Sequence, residues 1–160
     1  MRRARRGAAA ARHTATGLVL MGIAGGVLTG CARSVEVTPP PHAQACEAAT
    51  SRWPDQVSHQ EPRSVTVRGG NGDDARAWGD PAIIATCGWP ALGPTSEQCL
   101  EVSGVDWVVS PLSDGTKFTT FGTDPAIEVL VPKEYAPEPL LLPAFVPAAK
   151  ALPTNGRHCS

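Results

Sequence analysis

At 160 residues the chain has room for one domain, or one domain behind a leader, and excludes two independent cores. Its formal charge of −1 is unevenly spread: the first thirty residues hold five arginines and no acid, leaving nine basic and fifteen acidic side chains, a charge of −6, for the rest. An acidic body argues against a nucleic-acid partner, because phosphate backbones are met by clustered lysine and arginine.

Arg2, Arg3, Arg5, Arg6 and Arg12 precede an uncharged, largely apolar run at 17–28, the order of n-region and h-region in a secretory signal. A helix of that length is about 18 Å long, short of the roughly 30 Å hydrocarbon core, so the run reads as a signal and not a span. It leads into Leu28-Thr29-Gly30-Cys31, which resembles the lipobox of bacterial lipoprotein precursors: an aliphatic residue, two small ones, then the cysteine to be modified. By that resemblance residues 1–30 are a lipoprotein signal peptide. Cys31 becomes the new N-terminus, its thiol carrying a diacylglyceryl group with fatty chains such as palmitate. Two acyl chains hold a protein stably on a bilayer, whereas one does so marginally. The expected location is therefore the cell membrane, lipid-anchored on the extracytoplasmic face, with the bilayer as first partner. An ordinary cleaved signal, an uncleaved anchor and an arginine-rich transit peptide are the competing readings, and each leaves the box to coincidence.

Residues 31–41, ending in Pro39-Pro40-Pro41, read as a Pro-rich tether of polyproline II reaching about 30 Å, with a single extracytoplasmic domain at 42–160. From residue 43 to 53, Cys46, Ala49, Thr50 and Trp53 recur at three- and four-residue steps, predicting a short helix stopped by Pro54. Val65 and Val67 alternate in a strand at 64–68, followed by a glycine-rich loop at 69–73 and a brief apolar run at 82–86. Val105, Trp107 and Val109 alternate, Ser113-Asp114-Gly115 supplies a turn, and the chain returns at 118–121 as a hairpin. Ile127, Val129 and Val131 face one way and Glu128 and Leu130 the other, a third antiparallel strand ended by Pro132. Leu141, Leu142, Phe145, Val146, Ala149 and Leu152 have helical spacing interrupted by Pro147, predicting one kinked helix or two short turns.

Together these predict an α+β fold: a small antiparallel sheet, hairpin plus third strand, with a helix near each end and disulfide support. With Cys31 acylated, Cys46, Cys87, Cys99 and Cys159 form an even set in an exported domain, hence two disulfides among three connectivities. Cys87 with Cys99 would close a short turn-rich loop, and Cys46 with Cys159 would tie the ends together; that is the expected pairing. A zinc site would want closer C-x-x-C spacing, so no metal and no cofactor are expected.

Residues 69–74, Gly-Gly-Asn-Gly-Asp-Asp, fit the start of a calcium-binding nonapeptide, but that chemistry needs stacked copies and here Arg76 stands where an apolar residue belongs. Four tryptophans, Trp53, Trp78, Trp89 and Trp107, serve either as core anchors or as a stacking surface; Trp89, between Gly88 and Pro90, and Trp78 are the candidate binding residues. No catalytic set is found. His13, His42, His59 and His158 sit in no base or ligand context, and neither G-x-S-x-G nor H-E-x-x-H occurs. Cys87-Gly88-Trp89-Pro90 is half of a redox motif without its second cysteine. Were the protein a hydrolase, Asp80 and Asp106 would be the first carboxylate pair to consider.

Trp78-Gly79-Asp80-Pro81-Ala82-Ile83, then Cys87-Gly88 and Pro90, Gly104-Val105-Asp106-Trp107, Phe118-Thr119-Thr120-Phe121-Gly122 and the run from Pro125 to Pro132 resemble, in order and spacing, the actinobacterial lipoproteins carrying domain of unknown function 3515. That resemblance implies an anchored envelope protein of a high-GC Gram-positive organism and implies no activity. The expected function is a non-catalytic binding or accessory module of the cell envelope, its partner a cell-wall component or an envelope protein. The alternative is a cell-wall or lipid-modifying hydrolase using Asp80 and Asp106. A small-ligand carrier would need a sizeable pocket.

Overall fold

The alternation between residues 105 and 131 produces three consecutive antiparallel strands, and these are the middle of a larger sheet. The structure, a computed structural model, describes residues 34–70 and 72–160; the expected signal at 1–30 and Cys31 lie outside the described residues. In chain order the strands are β1 (Val35–Val37), β2 (Pro62–Arg63), β3 (Val65–Val67), β4 (Ala75–Trp78), β5 (Ile83–Trp89), β6 (Cys99–Val102), β7 (Val105–Pro111), β8 (Gly115–Phe121) and β9 (Ala126–Pro132). One α-helical turn, α1 (Glu47–Thr50), follows a 3₁₀ turn at Ala43–Cys46, and another, α2 (Val146–Ala149), follows a 3₁₀ stretch at Glu138–Phe145.

Seven strands form one antiparallel sheet in the order β2-β4-β5-β9-β8-β7-β6, while β1 and β3 pair in parallel beside it. The fold is thus mainly β, and the expected α+β architecture with a three-stranded sheet is corrected. The expected hairpin and third strand are present as β7, β8 and β9. What enlarges the sheet are strands whose residues hide their period: β5 is buried on both faces for most of its length, so Ile-Ile-Ala-Thr-Cys-Gly does not alternate. The helix expected at 43–53 shrinks to single turns, and the C-terminal segment breaks at Pro143 and Pro147 into short turns, as a missing N–H demands.

Residues 35–37, expected within the tether, form a strand instead. Val35 and Val37 pair in register with Val65 and Val67, and Pro40 is already buried. Two Val-x-Val segments present matching β-branched side chains, and this outweighs the proline run that follows.

Register divides the large sheet into two faces. Ala85, Cys87, Ile127, Val129, Phe118, Thr120 and Trp107 share the first, and all of them but Thr120 join the core. Against it pack Trp53, Leu142, Phe145, Ala148 and Ala149 from the turns. Phe145 receives Trp53 and Trp78 edge-on, with ring centroids 6.4 and 5.5 Å away.

Both disulfides form, but the expected pairing is corrected: Cys46 joins Cys87 and Cys99 joins Cys159, with Cα separations of 5.9 and 5.7 Å. Strand order explains it. Cys87 on β5 and Cys99 on β6 are separated by β9, β8 and β7, about 19 Å of sheet at ~4.8 Å per strand, whereas a disulfide needs Cα atoms within about 7 Å.

Tyr135, the one tyrosine, donates its hydroxyl to the Pro81 carbonyl at 2.7 Å. Burial raises its pKa above the ordinary 10.0, with the Asp80 and Glu134 carboxylates pushing the same way, against an Asp80 backbone hydrogen bond and Arg63. The folded state therefore favours the neutral phenol; this stability is fully present below the unfolded value and is lost as pH rises through the folded one. A phenolate absorbance titration should give a single midpoint above that of the same chain in denaturant, which titrates near ~10. Coincident midpoints would contradict this packing of Tyr135.

Candidate functional site

The second face of the sheet carries the polar and aromatic side chains that the core does not use. Thr86 of β5, Glu128 of β9, Thr119 and then Val108 stand abreast across four strands. Two residues further along, Ile84, Leu130, Lys117 and Ser110 form a parallel row. Ala75, Ala77, Val108 and Ala126 are buried here, and none of them belongs to the core cluster.

Glu128 is the hub of this surface. Its carboxylate accepts from the Thr119 hydroxyl at 3.4 Å and pairs with the Lys117 ammonium at 3.2 Å. On the other side, the Trp89 indole N–H donates to the Thr86 hydroxyl at 2.8 Å, which lays the half-buried ring along the sheet beside its own strand. Gly88 makes this possible: its φ of +118° belongs to an irregularity between Cys87 and Trp89, after which Trp89 pairs with Ala126. Thr86 and Thr119 are themselves buried, so the arrangement presents the half-buried ring of Trp89 and the Lys117–Glu128 ion pair. It suits stacking and hydrogen bonding; no histidine stands among these residues to act as base.

The four tryptophans divide clearly. Trp78 is fully buried and donates to the Pro54 carbonyl at 3.2 Å, so its candidacy as a binding residue is corrected: it is a core anchor. Trp53 is buried and donates to the Asp73 carbonyl at 3.4 Å. Trp107 is also fully buried, and its indole N–H finds no partner among the described residues, a cost of about 1–3 kcal/mol that the surrounding packing offsets. Trp89 alone of the four is half-exposed.

Asp80 and Asp106 are not brought together. Asp80 follows β4 with its side chain 85% exposed and paired to Arg63 at 3.0 Å. Asp106 lies on β7, its side chain 11% exposed, accepting from the Cys159 amide at 3.2 Å and meeting His158 Nδ1 at 3.1 Å. β5, β9 and β8 lie between β4, which Asp80 follows, and β7, so those two strands are about 19 Å apart, against the 5–9.5 Å that paired glycosidase carboxylates require. Among the described residues no group of three or more His, Cys, Asp or Glu is placed to hold a metal ion, and no helix is long and apolar enough to cross a membrane.

Lys117, Thr119, Glu128 and Thr86 were not singled out from the sequence. The outward position of Glu128 follows from alternation along its strand, but the threonines beside it depend on register between strands, which no local pattern carries.

A family model described as a protein of unknown function, DUF3515, matches residues 27–151. No curated protein and no solved structure matches the chain.

Proposed function

The chain belongs to the DUF3515 family, and from that membership we propose that it is an actinobacterial envelope lipoprotein, held at the extracytoplasmic face by acyl chains on Cys31, that docks a partner on the second face of its sheet. The role is that of a non-catalytic binding or accessory module. One observation carries it: a face outside the core cluster, on which Trp89, Thr86, Glu128, Thr119 and Lys117 adjoin across three strands. A single half-exposed aromatic ringed by satisfied polar groups is the kind of anchor on which interfaces concentrate their energy. The partner class is a cell-wall component or an envelope protein. The hydrolase alternative is not carried forward, since Asp80 lies in the turn after β4 and Asp106 on β7, with three strands between β4 and β7.

The test is a photo-crosslinking side chain at position 89 in intact cells, with position 140 as control, because Leu140 is 72% exposed on the turn that packs against the opposite face. The expected result is a discrete adduct from position 89 that position 140 does not give. No adduct from 89, or the same adducts from both, would overturn the reading.

A further inference from the structure

At one end of the sheet, where the β6–β7 turn, the end of α2 and the C-terminal tail meet, lies a pocket of about 140 Å³. Lys150 follows α2, Arg157 and His158 come from the tail, and Asp106 comes from β7. In a domain of charge −6, two lysine or arginine side chains in one small pocket form a local reversal of sign. Neither Lys150 nor Arg157 pairs with a carboxylate among the described residues. Arg157 is nonetheless held in place: its Nη1 donates to the Leu92 carbonyl at 2.9 Å, using one of five guanidinium N–H donors.

The tail that brings Arg157 and His158 here is fastened at several points. The Asn155 amide donates to Gly122 O at 2.8 Å, Thr154 bridges to Thr123, and Cys159 is bonded to Cys99. Asp106 is already engaged by His158 and the Cys159 amide, so its negative charge serves the tail first. Three of the lining residues are glycines, Gly104, Gly122 and Gly156, with φ of +80°, +86° and +76°. A side chain at 122 would collide with the Arg157 carbonyl, and one at 104 would sit 3.4 Å from Lys150 Nζ. The remaining wall is apolar, from Val105, Phe121 and Ala149. Two positive side chains, an apolar wall and this volume suit a short monoanion; a dianion would feel Asp106 more strongly, and a nucleotide would not fit.

We propose that this pocket binds the carboxylate of a small acid, free or at the C-terminus of a peptide, with Lys150 and Arg157 on the carboxylate and the apolar wall around its carbon chain. The site is separate from the Trp89 face and stands or falls independently of it.

Amide NMR titration of the full chain with propionate, N-acetylalanine, propionamide and inorganic phosphate tests it. Both acids should shift the Gly104, Gly122 and Gly156 amides saturably, and propionamide should not. Tighter binding of N-acetylalanine than of propionate identifies a peptide end as the source, and the reverse identifies a free acid. Lys150→Gln and Arg157→Gln, both at exposed positions, should each weaken binding about tenfold or more, while Lys133→Gln, remote from the pocket and equal in charge change, should not. Absence of saturation with either acid, an equal response to propionamide, tighter binding of phosphate, or an equal loss in Lys133→Gln would overturn the proposal.

Discussion

Replacing Cys31 with serine should move the protein from the membrane to the aqueous phase. A hydroxyl is far less nucleophilic than a thiolate, so the variant cannot take the thioether-linked diacylglyceryl group on which the proposed anchor rests. With two acyl chains at about 0.8 kcal/mol per buried methylene, the wild-type protein should remain with the bilayer through detergent partition, while the variant loses that attachment whole. The distances make the outcome sharp. The first strand begins at Val35, four residues after Cys31, so at most about 14 Å of chain lies between the acylated residue and the strand, and the domain should ride close to the headgroups. Partition of both proteins between detergent and aqueous phases, with mass spectrometry of the N-terminal peptide, measures it. A wild-type N-terminal peptide that lacks the acyl mass on Cys31, or that still carries the apolar run at 17–28, would overturn the lipoprotein reading.

How far the residues foretell this molecule depends on where its information lies. The hairpin of β7 and β8 is legible because Val105, Trp107 and Val109 face a core while Asp106 and Ser110 do not, and β9 is legible for the same reason. In contrast, β5 is opaque because burial on both faces removes its period, and β4 and β6, at four residues each, are too short to display one. Missing those three strands and the two-residue β2 turns a seven-stranded β fold into an α+β expectation, and it also misdirects the cysteines, since Cys87 and Cys99 are close in sequence but stand on strands that three others separate. The candidate site shares this limit: Trp89 stands out from its Gly-Trp-Pro setting, but the neighbours that give it a surface, Glu128 and Thr119, come from strands about thirty to forty residues later. Lys150, Arg157 and His158 are harder still, because a disulfide and a handful of tail contacts bring them to Asp106.

Removing the Cys46–Cys87 disulfide should cost more than removing Cys99–Cys159, although the second closes the longer loop. Chain entropy alone gives about 4 kcal/mol for either, at separations of 41 and 60 residues, with a slight advantage to the longer. The native state reverses that order. Cys46 and Cys87 are fully buried in the core, whereas Cys99 and Cys159 are half-exposed and fasten a tail. Cys46→Ala with Cys87→Ala therefore leaves two sulfur-sized voids beside Ala49 and Ile127 and loosens the 43–50 segment from β5. That segment's close approach is visible at Gly88, whose carbonyl accepts the His42 amide at 2.9 Å and where an added Cβ would lie 2.6 Å from the Ala43 nitrogen. A small domain has about 5–15 kcal/mol in all, so the buried pair decides whether the fold survives, while loss of the tail disulfide leaves the core intact and detaches the walls of the Lys150 pocket. Denaturant unfolding followed by the fluorescence of the buried Trp53, Trp78 and Trp107 measures both variants, and an equal or inverted order of midpoints would contradict this division of labour.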